Sequence, residues 1–395
     1  MKRVSIIFVC VALGACGDDD ANLNPEPDGS TPDGSGGGDA SIPDATVDGD
    51  IRDDQPTVAI REDGGNRWLV DQEGQTLYLF GRDIPGASAS SNCAGDCAAT
   101  WPPFAPENLR VGEGLEASDF AEITRDGGET QLTYRGWPLY RFMNDAAPGD
   151  LNGDGVGGVW FTVPDPFYTV LVRADDTLGR YLVDAGGQTL YYFARDLPAF
   201  DANPAVSNCA DGCAAAWPAF ETAEVRAPST LDSATFGTVG GGTQVTYRGW
   251  PIYRFTNDTS PGDTNGENAS DRWFVASDPH YDALIMSNDD TPLYLAAGNG
   301  MSLYLFRNDT RAENGNPPVS ACNGPCLGNW PIFTAASPGA PSVLEGSDFT
   351  ILMRDDGSEQ VVYRGWPLYF FSGDTAPGDT NGVGPVWEVF DPSAL

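Results

Sequence analysis

Cysteine sulfur and clustered carboxylates are the two chemistries that this sequence repeats. Cys93 and Cys97, Cys209 and Cys213, and Cys322 and Cys326 each fall in the pattern C-x3-C-x3-W-P, which ends at Trp101-Pro102, Trp217-Pro218 and Trp330-Pro331. Two thiols at this spacing can close a local disulfide, act as a reversible dithiol, or hold a soft metal such as copper. An oxidising compartment favours the disulfide. So short a loop contributes only ~2 kcal/mol by the chain-entropy argument, so its expected role is to pin the Trp-bearing turn. Neighbouring residues lend the other readings little: the single histidine, His280, stands where the preceding repeat has Phe167, and no His or Met recurs beside the Cys pairs. Haem attachment would need C-x-x-C-H, and zinc would need further ligands that the repeats do not share.

Oxygen ligands are more plentiful. The loop Pro148-Gly149-Asp150-Leu151-Asn152-Gly153-Asp154-Gly155 offers Asp150, Asn152 and Asp154 at alternate positions, followed by Gly155, the spacing that lets a loop wrap Ca²⁺. Its counterparts are poorer: Asn268 stands at the glycine position after Asp263, Asn265 and Glu267, and Val383 replaces the third ligand after Asp379 and Asn381. Phe161 occupies the place of the bidentate Glu in the first loop. The same residues read equally as a Pro-Gly-Asp turn whose side chains bond their own backbone. Calcium is the one cofactor these loops suggest. Asp83, Asp145, Asp196, Asp258, Asp309 and Asp374 each end a strand motif, and such near-equivalent copies read as turn caps rather than one carboxylate active site. A lone histidine leaves no imidazole triad, and no phosphate loop, dinucleotide fingerprint or nucleophile elbow occurs. No catalytic residue is assigned, and the chain is not expected to be an enzyme.

These residues are carried on a repeated element. The motif G-x-[T/P/S]-[L/I]-Y-x-F-x-x-D begins at Gly74, Gly136, Gly187, Gly249, Gly300 and Gly365, and the copies alternate in pairs, one pair in each of three modules of roughly 115 residues. Alternation in Leu77-Tyr78-Leu79-Phe80 and Leu139-Tyr140-Arg141-Phe142 marks strands with Tyr and Phe inward and the Leu or Arg side wetter. Turn signals at Glu73-Gly74, Asp126-Gly127-Gly128 and Arg135-Gly136 separate the runs. Ala98-Ala99 and Ala214-Ala215-Ala216 suggest a helical turn stopped before Pro. About six short strands and little helix are expected per module. Each module closes at Asp-Pro (Asp165-Pro166, Asp278-Pro279, Asp391-Pro392), giving boundaries of 57–166, 167–279 and 280–395. The expected fold class is all-β: three tandem β-rich modules with short hairpins and one local disulfide each. A six-bladed β-propeller built from six half-repeats is the rival.

The N-terminus sets the compartment. Met1-Lys2-Arg3 and the apolar run from Val4 to Ala15 form a signal segment (1–15) too short to span a bilayer of ~30 Å. Leu13-Gly14-Ala15-Cys16 resembles the bacterial lipobox, which implies lipidation of Cys16 and stable anchoring by more than one acyl chain. Gly17 follows the cysteine where an Asp would favour inner-membrane retention, so the resemblance points to the outer membrane. Residues 16–56 are rich in Asp, Gly, Pro and Ser, with no aromatic ring. Such a stretch reads as a disordered tether with a reach of ~35 Å. Across 395 residues, 57 acidic side chains against 21 basic ones give a net charge of -36. That balance excludes a nucleic-acid partner and disfavours an anionic lipid surface.

The Y-x-F-x-x-D motifs, the C-x-G-x-C-A-x-x-W-P segment, the T-Y-x-G-x-P-L-Y run and the Pro-Gly-Asp loop together resemble a bacterial secreted lipoprotein repeat family of unknown function, across residues 57 to 392. Leu327-Gly328 and Gly240-Gly241-Gly242 depart from its pattern. Members with one module imply beads rather than a single closed body. The expected role is a surface binding, adhesive or display array with a protein or polysaccharide partner at the cell surface, because repeated modules on a tether offer multivalency. The alternative is a redox or metal-handling envelope protein, using copper or calcium.

Overall fold

The computed structural model describes residues 55–393 apart from 290 and 292. The signal segment, Cys16 and nearly all of the tether lie outside them. Module 1 begins with the hairpin β1 (Val58–Asp63) and β2 (Asn66–Asp71), followed by β3 (Tyr78–Phe80) and the short α1 (Asp96–Thr100). A second hairpin, β4 (Phe120–Thr124) and β5 (Thr130–Tyr134), leads into β6 (Trp137–Pro138) and finally β7 (Trp160–Thr162). The β5–β6 connection turns on Arg135 (φ 50°) and Gly136 (φ 84°), the paired positive φ of a two-residue hairpin turn.

Module 2 repeats the order with β8 (Val170–Asp175), β9 (Gly179–Asp184), β10 (Tyr191–Phe193), α2 (Gly212–Ala216), β11 (Phe236–Thr238), β12 (Val245–Tyr247), β13 (Trp250–Tyr253) and β14 (Trp273–Val275). Module 3 has β15 (Ala283–Met286), β16 (Tyr294–Ala297), β17 (Tyr304–Phe306), α3 (Cys326–Asn329), β18 (Phe349–Met353), β19 (Glu359–Tyr363), β20 (Trp366–Pro367) and β21 (Trp387–Val389). The fold is all-β, with each α-helix a short turn that carries the second cysteine of a pair. Its strands make small sheets, the largest ordered β11-β12-β13-β10-β14. The half-repeats join two by two, and nothing in this pairing builds a six-bladed ring. No helix among the described residues is long and apolar enough to cross a membrane.

Alternation along the tyrosine strands holds, but the side expected to be wetter is buried as well. Leu77, Leu79 and Leu139 are fully buried beside Tyr78 and Tyr140. The leucines belong to the larger core under the hairpins, while Tyr78, Phe80 and Tyr140 enter a smaller aromatic core with Cys93, Trp101 and Trp160. Arg141 keeps a wet side, its side chain 41% exposed while its Nε binds buried Asp71 at 2.5 Å, and its counterpart Arg254, 36% exposed, binds Asp184 at 2.7 Å.

The expectation of separate beads is corrected: the described modules form one compact unit. One apolar core runs from Val58 to Ala276 through modules 1 and 2, and another joins Tyr192, Trp250 and Phe274 of module 2 to module 3. Both junctions use the same contacts. Ala174 N donates to Gly81 O at 3.0 Å, and Ser287 N to Ala194 O at 2.9 Å. Trp137 Nε1 donates to Ala185 O at 2.9 Å, and Trp250 Nε1 to Gly298 O at 2.7 Å. On the corresponding face of module 3, Arg307 stands in the place of Gly81 and Ala194, and Glu388 in that of buried Phe161 and Phe274. The two form an ion pair with bonds of 2.9 and 2.6 Å. Arg307 Cζ lies 5.6 Å from the Trp366 ring centroid, and Trp366 Nε1 has no hydrogen-bond partner among the described residues. Capping by a polar outer face is the usual end of a stacked repeat array.

Candidate functional site

The residues singled out by the sequence converge at the centre of each module. Tyr78 and Tyr140 face each other across antiparallel chains, each N–H donating to the other's carbonyl at 2.9 Å. Their side chains then project from the same side of the sheet. Each hydroxyl crosses to the aspartate of the other motif: Tyr78 Oη donates to Asp145 Oδ2 at 2.7 Å, and Tyr140 Oη to Asp83 Oδ2 at 2.6 Å. Module 2 repeats the exchange with Tyr191 to Asp258 at 2.7 Å and Tyr253 to Asp196 at 2.6 Å. In module 3 the bonds run from Tyr304 to Asp374 at 2.6 Å and from Tyr369 to Asp309 at 2.8 Å.

The remaining carboxylate oxygens are also committed. Oδ1 of Asp83 and of Asp196 accepts the N–H of Asn92 and of Asn208, each at 2.7 Å, and Asp309 Oδ1 accepts from Ala321 N at 2.7 Å. Burial pushes Asp83 and Asp196 up to about 7 and Asp309 up to about 6, against the opposing pull of these hydrogen bonds. Asp145, Asp258 and Asp374 are raised for the same reason, and burial raises all six tyrosines further above their ordinary range. These hydroxyls are donors locked to carboxylates.

The motif phenylalanines bracket the two tryptophans of each module in a column of four rings. In module 1 the order is Phe80, Trp160, Trp101, Phe142, with successive centroids 4.2, 3.8 and 4.1 Å apart. Phe193, Trp273, Trp217 and Phe255 follow at 4.2, 3.7 and 4.0 Å, and Phe306, Trp387, Trp330 and Phe371 at 4.1, 3.6 and 4.6 Å. Each column reads Phe-Trp-Trp-Phe from either end. The two halves of a module are thus related by an approximate twofold axis between the tryptophans.

Each C-x3-C pair is a disulfide: Cys93–Cys97, Cys209–Cys213 and Cys322–Cys326. The helical turn behind it delivers Trp101, Trp217 or Trp330 to the column. A clamp missed by sequence reasoning holds this turn in modules 1 and 3. Arg125 donates to Ser91 Oγ at 2.7 Å, to Gln131 Oε1 at 2.5 Å and to Cys93 O. Arg354 repeats this with Ser320 Oγ at 2.9 Å, Gln360 Oε1 at 2.5 Å and Cys322 O at 2.6 Å. The hairpin of module 2 is shorter, with Phe236 and Tyr247 11 residues apart against 14 for Phe120 and Tyr134, and brings no arginine to this place; there Gln244 Nε2 has no partner among the described residues. The available signal was an arginine directly before the acidic turn in two modules of three.

The candidate calcium residues are spent on their own loop. Asp150 Oδ2 accepts from Ala146 N and Ala147 N, both at 2.9 Å, and Asp154 Oδ1 from Thr162 N at 3.0 Å. Asn152 Nδ2 donates to Asn144 O at 3.3 Å. Asp263 and Asp379 cap their own turns in the same way. This is the Pro-Gly-Asp turn geometry. Among the described residues, no group of three or more His, Cys, Asp or Glu side chains is placed to hold a metal ion. The loop's function is visible at Gly153: its N–H donates to Tyr78 Oη at 3.3 Å, and a Cβ there would come within 2.8 Å of both Trp101 and Tyr78. His280, the sole histidine, places Nε2 3.1 Å from Gly298 O at the second junction.

Away from the module centres, a groove of about 640 Å³ opens where modules 2 and 3 meet, with Asn208, Asp289, Tyr294, Gly378 and Asp379 in its walls.

No significant match to the chain occurs among curated proteins or among solved structures. The profile of one family, described as a secreted repeat of unknown function, matches residues 57–105, 121–164, 172–221, 234–277, 292–334 and 350–391. Each segment holds one Tyr-Phe-Asp motif and the tryptophan that follows it, so the six matches are the half-modules that pair about each local axis. Together they span more than half of the chain, which therefore belongs to the family of secreted repeats of unknown function.

Proposed function

We propose that the protein is an envelope lipoprotein, anchored through Cys16 at the outer membrane, whose packed modules display a binding surface to a protein or polysaccharide partner without catalysis. The observation that carries this reading is where the repeated chemistry sits. All six motif tyrosines and aspartates bond to one another inside their modules. Side chains that change from module to module stand exposed on the loops, among them Met143, Leu151 and Val383. Repetition supplies the scaffold and variation supplies the surface, the division of labour of stacked repeat proteins.

Two measurements test it. Palmitate labelling and membrane fractionation should follow Cys16 and be lost in Cys16→Ala. The mature chain should bind saturably to immobilised envelope polysaccharide or to a surface-protein fraction. Failure to bind either refutes display, and free-thiol labelling of the Cys pairs in the native envelope would move the protein to the redox alternative.

A further inference from the structure

The second hairpin of each module leaves its first strand at the edge of a sheet, and the three edges are finished differently. β4 of module 1, β11 of module 2 and β18 of module 3 each have a hydrogen-bonded neighbour on one side only. Phe120, Phe236 and Phe349 open these strands opposite Tyr134, Tyr247 and Tyr363, which fixes their alignment. In module 1 Glu122 stands exposed in the middle of the edge, and in module 2 the edge is cut to three residues. A charged side chain and a short strand are two devices by which an edge resists pairing with another chain. Module 3 has neither. Its edge runs for five residues, and Ile351 and Met353, 38% and 59% exposed, stand in the places of Glu122 and Thr124.

The main chain of this edge is open. Arg364 N donates to Asp348 O and Arg354 N to Ser358 O, each at 2.9 Å, so the even-numbered residues of β18 bond to β19, while Ile351 and Met353 turn their N–H and C=O groups the other way. None of these four groups has a hydrogen-bond partner among the described residues. Beside them lies a groove of about 420 Å³, with Pro317, Pro318, Val319, Leu352, Met353 and Asp355 in its walls. Alternation puts Leu352 on one face of the strand and Ile351 and Met353 on the other. A strand laid along this edge would meet apolar surface with both of its own faces.

We propose that β18 takes up an extended segment of a partner protein as an added strand, one with apolar side chains at its centre and Lys or Arg at its ends. The proposal rests on the display reading above and names the surface and the chemistry of its partner. Main-chain bonds to Ile351 and Met353 supply affinity, and contacts with Ile351, Met353 and Val319 select apolar side chains. The ends follow from charge: exposed Glu345 precedes the strand, and exposed Asp355 and Asp356 follow it. A second copy of this chain laid antiparallel on the edge would bring those carboxylates together, and each copy carries a net charge of -36. A cationic segment is the occupant that the edge fits.

The test titrates the mature chain with acetyl-Lys-Val-Thr-Val-Thr-Val-Lys-amide and with the same peptide ended in glutamate, followed by calorimetry and NMR hydrogen exchange. Saturable binding of the lysine peptide at one site is expected, with the glutamate peptide about tenfold weaker or more at low ionic strength. The amides of Ile351 and Met353 should exchange readily in the free chain and become protected on binding, a change that contact through side chains alone would not produce. Ile351→Glu installs the residue that module 1 carries in the same place, so the variant should fold and lose binding. No saturable binding of the lysine peptide, equal binding of both peptides, binding without protection of those two amides, or binding unchanged in Ile351→Glu overturns the proposal. So does a dimer in sedimentation velocity that Ile351→Glu dissolves, because a second copy would then close the edge. Binding to envelope fractions reports on display, so fractions that hold Ile351→Glu as tightly as the wild type remove only this edge and leave display standing.

Discussion

The buried aspartates should make this protein lose stability as the pH rises from 4.5 to 8. Asp83 and Asp196 are fully buried and held up to about 7, against an ordinary value of 3.8. Between those values the folded chain keeps a proton that the unfolded chain releases, so folding takes up protons. The stabilising contribution is complete below the unfolded value and is lost as pH rises through the folded one. At about 1.4 kcal/mol per unit, a gap of about three units gives ~4 kcal/mol for each group. Asp145, Asp258 and Asp374 are shifted the same way, while Glu388 is lowered by its bond to Arg307 and opposes them. Asp196→Asn is the informative variant, because Arg125 and Arg173 pull Asp83 down whereas no arginine opposes the burial of Asp196. At pH 4.5 the amide should cost about 1–2 kcal/mol for imperfect replacement of the Tyr253 and Asn208 bonds. At pH 8 that cost should vanish or reverse, since the wild type then carries a buried charge. Chemical denaturation of the oxidised protein at constant ionic strength measures both. Wild-type stability that rises from pH 4.5 to 8, or an Asp196→Asn cost that is the same at each pH, refutes the reasoning.

Trp217→Ala removes an inner ring of the second column and should cost about 3–5 kcal/mol, with Trp217→Phe milder, in denaturation followed by near-UV circular dichroism. Arg307→Gly combined with Glu388→Phe recreates the junction surface of the inner modules, and sedimentation velocity should then show head-to-tail oligomers, whereas a species of unchanged size contradicts the capping argument. Mass spectrometry should place the secreted chain about six daltons below its reduced mass, and graded reductant should open Cys209–Cys213 first, because the shorter hairpin of module 2 leaves that turn without an arginine clamp. Asp150→Ala should cost about 1 kcal/mol through the two backbone donors it orphans, and calcium should leave the unfolding midpoint of the wild type unchanged; a raised midpoint would support the calcium reading of that loop.

Much of each module was legible because its determinants are local. Tyr-x-Phe alternation, the Arg135-Gly136 turn and the paired cysteines each specify their own neighbourhood, and the structure has strands, turn and disulfides there. The partnerships were not legible, because alternation tells which way Tyr78 points but not that its hydroxyl meets Asp145, 67 residues away. The same limit hid the ring columns: Trp101 and Trp160 lie in different half-repeats, and no periodicity links them. Seven strands rather than about six formed per module because the short pieces after each Arg-Gly turn, two residues in modules 1 and 3 and four in module 2, pair with the preceding strand. The beads expectation failed on the leucine side of the strands, which reads as the wetter face yet is core in every module, because the hairpins of the same core cover it.

The crossed tyrosine bonds also govern the order in which the chain can become itself. They span 67 and 57 residues in module 1, 67 and 57 in module 2, and 70 and 60 in module 3. A chain emerging from its N-terminus therefore completes neither bond of a pair until the second motif has followed the first, and non-local contacts of this kind form late. The smallest length that can mature is a whole module, and a translocated nascent chain would gain folded mass in three steps rather than six. Proteolysis or truncation that leaves a half-repeat strands a tyrosine without its acceptor and an aspartate without its donor, which gives quality control a local signature of incompleteness.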